Sequence, residues 1–345
     1  MYKIFIHRYI KMCLLTGITF CLAACGSDDT ETGAQETEQA IGFFSNHIEE
    51  IGTRALITDD NLKKQAIGVY GYKKKTDNTD HFLVFDNTKL TYTSYWYYAP
   101  LKYWDRTRSY SFLAYMPHGS NTEFVYNSGT DQLLFKEIPQ WQKIDDSVTD
   151  YLVAYSTNSA EEYLTTHHGT VNLQFSHIYA QLLISVVKTM SAGTTEHKIT
   201  GMRLVSDAAD IPTTQTCTYQ YDAKTAGNCG VSSTRTLASS FTFLDNGSAA
   251  DDVPVLAEAT PLAHYLVAPF TTANNLKLYL DYTVTEGSNI TTHKDVPVAI
   301  EIKEFKSNYK YTYVLRFETG KPVTLSVVEV KQWEQVEVTD EVYNW

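Results

Sequence analysis

The feature that most constrains this chain is the strict alternation of apolar and polar residues in several short segments. In YKYTYVLRF, residues 309–317, an aromatic or aliphatic side chain occupies every odd position. LKLYLDYTV at 276–284 and VPVAIEI at 296–302 alternate in the same way. A period of two with one apolar face is typical of half-buried strands, and aromatic and β-branched residues favour sheet. Because no long stretch has a helical stripe, we predict an all-β fold of packed sheets.

One predicted strand changes phase. In VNLQFSHIYAQLLISVV, residues 171–187, the apolar residues lie at odd positions up to Phe175 and at even positions from Ile178. A one-residue slip would turn half of the apolar side chains into water, so we expect a bulge or corner near Ser176 and His177. The polar stretch 156–170 just before it predicts a linker. We therefore predict two domains, 55–165 and 166–345.

The first 24 residues have the build of a secretory signal peptide. Basic residues precede an apolar stretch at 12–22, and two alanines precede Cys25. The apolar stretch is about half of the roughly 20 residues that a membrane-spanning helix needs. The ending Leu-Ala-Ala-Cys resembles a bacterial lipoprotein signal, which implies acyl chains such as palmitate on Cys25 and attachment to the outer membrane. An ordinary secretory signal with a chance cysteine is the alternative.

The composition excludes nucleic acid as a partner. The formal net charge is −12, and removing the three basic residues of the signal makes it more negative. A surface this acidic would be repelled by phosphate backbones. The polar residues 26–39 that follow Cys25 cannot bury enough apolar surface to fold, so we expect a solvated tether there.

Two of the five cysteines are left for the folded part of the chain. Cys217 and Cys229 flank a predicted hairpin, CTYQYDAKTAGNC. We expect a disulfide that closes it, which would stabilise the fold by about 3 kcal/mol. Zinc is the alternative, but structural zinc needs four ligands and two thiols do not supply them.

An aromatic run at 92–117 raises the possibility of sugar binding. Trp96 and Trp104 are candidate platforms on which a glycan ring could stack, and the alternative is that they fill the core. No catalytic, metal-binding or nucleotide-binding motif is present, and His167 and His168 would point to opposite faces of a strand. We therefore predict no enzyme activity, no cofactor and no metal.

Several segments, taken in order, resemble the fimbrillin family, the subunits of type V pili. The matching segments are GTRA (52–55) with IGVYGY (67–72), KYW (102–104) with YSFLAYMP (110–117), DYLVAYS (150–156), FSHIYAQLLISV (175–186), and YKYTYVLRF with VTLSVVEVKQW (323–333). The resemblance implies two transthyretin-like β-sandwich domains in tandem. It also implies a subunit that is delivered as a lipoprotein and then cut after an arginine.

In this chain the resemblance places the cut between Arg54 and Ala55, so that residues 25–54 depart. The groove that opens would take the C-terminal strands of another subunit, a form of β-augmentation. The departing piece is apolar enough to occupy a groove, with Ile41, Phe43 and Phe44 in its centre. The predicted donor tail spans 324–345, and its apolar residues are Val327, Val328, Val330, Trp333, Val336, Val338, Val342 and Trp345.

The expected function is a structural subunit of a cell-surface pilus that serves adhesion. Its expected partners are copies of itself or other pilus subunits, with host or bacterial surface ligands as further partners. The alternatives are a permanently lipidated anchor, a tip adhesin, and a glycan-binding surface lipoprotein. For the tail, the alternative is that it forms only the last strands of the second domain.

Overall fold

The computed structural model of the chain describes residues 38–45, 62–75, 80–127, 130–145, 147–189, 195–224, 229–245, 252–318 and 323–332. Within these ranges nearly all regular structure is β, which confirms the predicted fold class. No helix among these residues has the length and apolar character needed to cross a membrane. The signal peptide, Cys25, Arg54 and Ala55 lie outside the described residues.

The first half of the chain builds a six-stranded sheet. All strands of this half, inside and outside that sheet, are β1 (Gly42–Ser45), β2 (Ile67–Lys74), β3 (His81–Tyr92), β4 (Trp96–Tyr97), β5 (Ser109–Met116), β6 (Thr122–Asn127), β7 (Thr130–Pro139), β8 (Trp141–Lys143), β9 (Leu152–Ser159), β10 (Thr170–Leu173) and β11 (Ser176–His177). The sheet has the order β11-β9-β5-β2-β3-β4, while β1 pairs with β10 in a separate two-stranded sheet. The inward side chains of β1–β5, β9 and β10 form most of the N-terminal core, which extends from Ile41 to Phe175.

The second half, together with β8 from the first half, builds two five-stranded sheets that enclose a second core. Its strands are β12 (Ala180–Lys188), β13 (Glu196–Val205), β14 (Ile211–Pro212), β15 (Thr216–Asp222), β16 (Gly230–Val231), β17 (Leu237–Ala238), β18 (Ser240–Asp245), β19 (Val253–Pro254), β20 (Thr260–Val267), β21 (Phe270–Thr271), β22 (Lys277–Glu286), β23 (Asn289–Ala299), β24 (Glu304–Phe305), β25 (Tyr309–Phe317) and β26 (Thr324–Gln332). One sheet has the order β26-β25-β12-β20-β8, and the other has the order β18-β13-β22-β23 with β19 also paired to β13. The alternating segment 309–317 is strand β25, as predicted, and it lies inside the first of these sheets.

The predicted corner near Ser176 and His177 is confirmed. β11 pairs with β9, but the chain bends at residues 178–179 and β12 joins the other sheet. The corner is fixed by polar contacts in the interior: His177 Nδ1 lies 2.9 Å from the Asp150 carboxylate, and both side chains are buried. The backbone N–H of His177 donates to Asn308 Oδ1. The change of phase thus moves the apolar side chains from one core to the next.

A third apolar cluster joins the two halves. Tyr115 and Phe135 from the first half pack there with Tyr179 and Tyr219 from the second. β7 pairs with β15, so a four-stranded sheet of order β16-β15-β7-β6 takes strands from both sides of residue 165. The boundary between 55–165 and 166–345 stays a prediction, and backbone pairing crosses it.

The polar stretch 156–170 was expected to be a linker, and the structure corrects that expectation. It contains a short helix, α1 (Ala160–Thr165), in which Ala160 and Tyr163 are buried. Ser159 caps this helix, since its side chain accepts a bond from the backbone N–H of Glu162. The polar residues therefore cover the outside of a segment whose few apolar residues belong to the N-terminal core.

The predicted disulfide between Cys217 and Cys229 is also corrected, because both are free thiols in the structure. The hairpin forms, but its register pairs Tyr219 with Val231 and Gln220 with Gly230. That register offsets the two cysteines by about four residues along the strands, or roughly 13 Å. A disulfide needs Cα atoms within about 7 Å, so the pairing cannot close without a change of register.

A glycine in β2 tests how closely the first sheet is packed. A Cβ atom at Gly68 would overlap the ring of Tyr115, whereas a Cβ at Gly230 would have no other atom within 4 Å. We expect Gly68→Ala to lower the free energy of unfolding by about 1–3 kcal/mol, the usual cost of overpacking. Gly230→Ala should change it by less than about 0.5 kcal/mol. Chemical denaturation of both variants measures this, and equal stability would contradict the packing described.

Candidate functional site

The most distinctive site in the described residues is the groove that holds residues 38–45. This segment lies between β10 on one side and residues 102–104 on the other. β1 runs parallel to β10, and Ala40 pairs with Tyr103 in the antiparallel sense. The backbone N–H of Ile41 donates to the carbonyl of Lys102 at 2.8 Å. The segment therefore acts as an inserted strand that satisfies backbone groups on both of its neighbours.

Alternate side chains of the inserted segment point into the N-terminal core. Ile41 is 1% exposed and Phe43 is 6% exposed, whereas Gly42 and Phe44 between and after them are half-buried. The ring of Phe43 meets the rings of Phe85, Tyr98 and Phe112 edge-on, at centroid distances of 5.3–5.7 Å. Burying two such side chains stabilises the inserted state by about 3–6 kcal/mol. The groove is thus a deep apolar slot with an aromatic pocket for Phe43.

Polar groups on the walls fix the position of the inserted backbone. The hydroxyl of Tyr98 donates to the carbonyl of Ile41 at 2.9 Å. The carbonyl of Gly169 accepts from the backbone N–H of Gly42 at 3.0 Å and from Trp104 Nε1 at 3.1 Å. Burial raises the pKa of Tyr98 to about 12, and a backbone bond with Lys102 acts in the opposite direction. Tyr98 therefore stays a neutral donor at any physiological pH.

The turn before β10 shapes the wall that β1 pairs with. His168 and Gly169 both have positive φ, 51° and 78°, and together they turn the chain out of α1 into β10. A side chain at Gly169 would collide with Gln39, which itself donates to the carbonyl of His168 at 2.8 Å. Glycine at 169 is thus required both by its backbone conformation and by the close approach of the inserted segment.

The opposite wall is held by a turn at Asp105. Its carboxylate accepts from Thr107 and lies 3.0 Å from Lys73 Nζ on β2, while its backbone N–H donates to the hydroxyl of Tyr110. Burial acts to raise the pKa of Asp105, but the bonds from Thr107 and Lys73 outweigh it and lower the pKa to about 2. Asp105 thus ties residues 102–104 to the six-stranded sheet.

The two tryptophans proposed as glycan platforms do not have that role. Trp96 is 7% exposed and Trp104 is 8% exposed. Trp104 stacks on Tyr163 at 4.8 Å, inside the core. A buried ring has no free face for a sugar, so the core-filling alternative holds for both residues. The exposed aromatic residues of this run are tyrosines, among them Tyr95, Tyr97 and Tyr103.

The first part of the predicted donor tail lies in strand β26. Val327, Val328 and Val330 belong to this strand, which pairs with β25 along its length. Val330 is 46% exposed. The remaining tail residues, Trp333, Val336, Val338, Val342 and Trp345, lie outside the described residues. Among the described residues there is no group of three or more side chains that could hold a metal ion.

Sequence reasoning identified Ile41 and Phe43 as groove occupants but missed the groove walls. Tyr98 and Lys102 lie far from Gly169 in the chain, and only the fold brings all three around β1. The local sequence offers one signal: the Gly169 that follows a capped helix is the residue type expected where a chain turns sharply.

Replacing Phe43 tests the pocket. We expect Phe43→Ala to weaken insertion of residues 38–45 by about 3–5 kcal/mol, because a buried ring is lost and a cavity remains. Phe44→Ala is the matched control and should cost less than half as much, since that side chain is only half-buried. Hydrogen exchange of the Ile41 and Gly42 amides in the uncut chain measures the change. Exchange in Phe43→Ala at the wild-type rate would contradict the pocket.

Acid should reduce the contribution of Asp105 to the free energy of unfolding. A carboxyl whose folded-state pKa lies near 2, below the ordinary 3.8, stabilises the fold above about pH 4 and loses that effect as the pH falls towards 2. Allowing for partial exposure, we expect Asp105→Asn to cost about 1–2 kcal/mol near pH 5 and much less near pH 2. Urea denaturation of both proteins at the two pH values measures this. A cost that does not change with pH would contradict the assignment.

Comparison with known proteins agrees with this architecture. The fold is similar to that of a fimbrial protein from Bacteroides vulgatus, with a TM-score of 0.55, 19% identity, and coverage of 86% of this chain and 99% of that one. A candidate cell adhesion protein from Bacteroides uniformis gives a TM-score of 0.47 at 17% identity, with the same coverage. No curated protein sequence matches the chain. The sequence profile of the fimbrillin-like family matches residues 53–333. The chain therefore belongs to the fimbrillin-like family.

Proposed function

We propose that this chain is a polymerising subunit of a cell-surface pilus, and that removal of its N-terminal segment opens the groove for a strand of another subunit. Membership of the fimbrillin-like family supports a structural role in a pilus, together with other pilus subunits, and not an enzyme activity. The proposed steps are attachment of lipid to Cys25, cleavage between Arg54 and Ala55, and strand exchange between subunits. The geometry of residues 38–45 supports strand exchange, and the lipid and the cut are proposed from the sequence.

The observation that carries the proposal is that residues 38–45 form a short strand inserted between β10 and residues 102–104. It pairs with β10 through only four residues, Gly42 to Ser45. It nevertheless fills the N-terminal core with Ile41 and Phe43. A cut after Arg54 would release this strand with its lipid, since both lie on the N-terminal side of the cut. The family match begins at residue 53, next to the proposed cut.

Loss of the strand would leave the groove in an unfavourable state. The carbonyls of Lys102 and Gly169 and the backbone N–H of Trp104 would lose their partners in residues 38–45. The rings of Phe85 and Phe112, fully buried at present, would face water. An unpaired edge above an apolar slot favours the addition of another strand, which restores both the hydrogen bonds and the burial. This supplies the driving force for assembly.

An uncut subunit that stays at the outer membrane is the second candidate. The insertion of β1, with its two buried side chains, is also the state that a permanently lipidated anchor would keep. The two candidates differ in one observable, the N-terminus of the mature protein. A glycan-binding function finds no support in Trp96 and Trp104, since both are buried.

Blocking the cut tests the proposal. In the native cell we expect Arg54→Ala to retain lipid on Cys25 and to lose the ladder of pilus polymers, because β1 stays in the groove. Arg106→Ala is the control: Arg106 is an exposed arginine paired with Glu161, and its loss should leave processing unchanged. Mass spectrometry of the N-terminus and gel electrophoresis of unheated surface material give the two readouts.

The wild-type protein decides between the candidates. A mature N-terminus at Ala55 without lipid supports the polymerising subunit. Lipidated Cys25 on every molecule would overturn the proposed cut and favour the anchor.

A further inference from the structure

We infer that Lys224 and Asp131 form an intramolecular amide bond, which joins β7 in the first half of the chain to the end of β15 in the second half. The bond forms by loss of one water molecule and needs no oxidant and no cofactor. The inference goes beyond the proposed function, because strand exchange at the groove does not require such a bond. It is carried by the contact of a lysine with a fully buried carboxylate that also accepts from a tyrosine hydroxyl.

The two reacting groups are in contact. Lys224 Nζ lies 3.2 Å from Asp131 Oδ1, and the carboxylate is fully buried while the lysine side chain is 31% exposed. Oδ1 nevertheless accepts no hydrogen bond of ordinary geometry from the part of the chain that the structure describes. The lysine nitrogen therefore lies against the carboxylate without the alignment that is typical of a charge-assisted hydrogen bond.

Backbone contacts hold both residues in place. The carbonyl of Asp131 accepts from the backbone N–H of Ala223 at 3.0 Å. The neighbouring pair, Gln132 opposite Asp222, belongs to the ladder between β7 and β15. The Asp222 carboxylate accepts from the backbone N–H of Lys224 at 3.1 Å. Because the fold holds the amine and the carboxylate side by side, their reaction is unimolecular and most of its entropic cost is already met.

A tyrosine hydroxyl contacts the other oxygen of the carboxylate. Tyr72 is 2% exposed, and its hydroxyl donates to Asp131 Oδ2. The hydroxyl of Tyr155 lies 3.5 Å from the same oxygen. Burial and the bond to Asp131 raise the pKa of Tyr72, so this hydroxyl keeps its proton and stays a donor. A donor at this position stabilises the negative charge that develops on Oδ2 when a nucleophile attacks the carboxyl carbon.

The surroundings favour the amide over the separate charges. The ring of Tyr72 lies 5.2 Å from the ring of Tyr126 and 5.9 Å from the ring of Phe124, so aromatic side chains flank the site. In water an ammonium and a carboxylate are more stable than their amide, because both charges are well solvated. A buried ion pair lacks that solvation, and an amide removes both charges.

The reaction is a condensation in which atoms and charges balance. A proton passes from Nζ to Oδ1, and the lone pair of the nitrogen then forms a bond to Cγ of Asp131. The hydroxyl of Tyr72 stabilises the charge on Oδ2. The bond between Cγ and Oδ1 breaks, and the hydroxyl leaves with a second proton from the nitrogen as water. One ammonium and one carboxylate thus give one neutral amide and one water, which leaves on the partly exposed side of Lys224.

Other lysine pairs in the structure lack the buried carboxylate. Lys136 pairs with Glu123, and Lys277 pairs with Asp207, but these carboxylates are 49% and 57% exposed. Water solvates such charges, so an ordinary ion pair is their stable state. They are internal controls, and we expect no amide at either pair.

Mass spectrometry of the full chain tests the bond. Trypsin cuts after lysine and arginine, but an amide at Lys224 prevents cleavage there. We therefore expect the peptide 204–235 to be joined to the peptide 109–136, which contains Asp131, with a combined mass lower by one water. Fragmentation of the joined pair should place the bond at Lys224 and Asp131.

Three variants test the roles of the side chains. Lys224→Arg keeps the positive charge but should abolish the joined peptides, because a guanidinium does not lose its proton in proteins. We expect Tyr72→Phe to slow formation of the joined pair by at least about tenfold during refolding, since the donor to Oδ2 is lost. Tyr126→Phe is the matched control, because its hydroxyl pairs with His81, and it should react at the wild-type rate. Thermal unfolding verifies that each variant folds.

The outcomes are distinct. Wild-type protein that yields the separate peptides 109–136 and 204–224 would show that Lys224 and Asp131 form an ion pair only, and the inference would be wrong. Joined peptides that persist in Lys224→Arg would also overturn it, because the bond would then lie at another residue. Equal rates for Tyr72→Phe and the wild type would overturn the role of Tyr72. None of these results bears on the proposed function, which is decided by the mature N-terminus and by polymer formation.

Discussion

The N-terminal half of this protein depends on one interaction, the insertion of residues 38–45 between β10 and the segment 102–104. Phe43 closes an aromatic pocket, and Ile41 lies beside it in the same core. The inserted backbone also supplies partners for carbonyls on both walls. Without this segment, the core would be open along one side. A core that one short segment closes would lose that cover if the segment were removed.

The two ends of the chain are held in different ways. β1 is short and pairs with β10 through four residues. Together with Ile41 before it, it stabilises the fold mainly by burying the side chains of Ile41 and Phe43. β26 pairs with β25 along its full length, covers part of the second core and contacts a strand of the facing sheet. The two strands therefore differ in how much of the surrounding sheet depends on them.

The two halves are connected by packed side chains and by shared backbone pairing. The third cluster packs tyrosines and phenylalanines from both sides, and β7 and β15 share a sheet. The buried contact between His177 and Asp150 fixes the corner where the chain passes from one core to the other.

The local sequence pattern was enough to predict several elements of the fold. The period of two located β25 within 309–317, and the change of phase after Phe175 located the corner. The apolar residues Ile41 and Phe43 indicated a segment that fills a groove, and both are buried in the structure. The pattern failed where contacts between distant residues determine burial. The stretch 156–170 was expected to be a linker, but it contains a short helix whose residues Ala160 and Tyr163 are buried in the N-terminal core. The sequence left open whether Trp96 and Trp104 fill the core or face a glycan, because burial depends on which distant residues cover a ring, and the structure buries both.

What the sequence by itself determined is the all-β class, the corner and the apolar character of both chain ends, because alternation and phase are local properties. Tertiary structure alone decided the register of the hairpin that keeps Cys217 and Cys229 apart, since a shift of a few residues is invisible to composition. It alone built the groove, because Tyr98, Lys102 and Gly169 converge on β1 only when the sheets fold together. It also placed β26 beside β25 and against the second core, because strand pairing and cover of a core are properties of the folded chain.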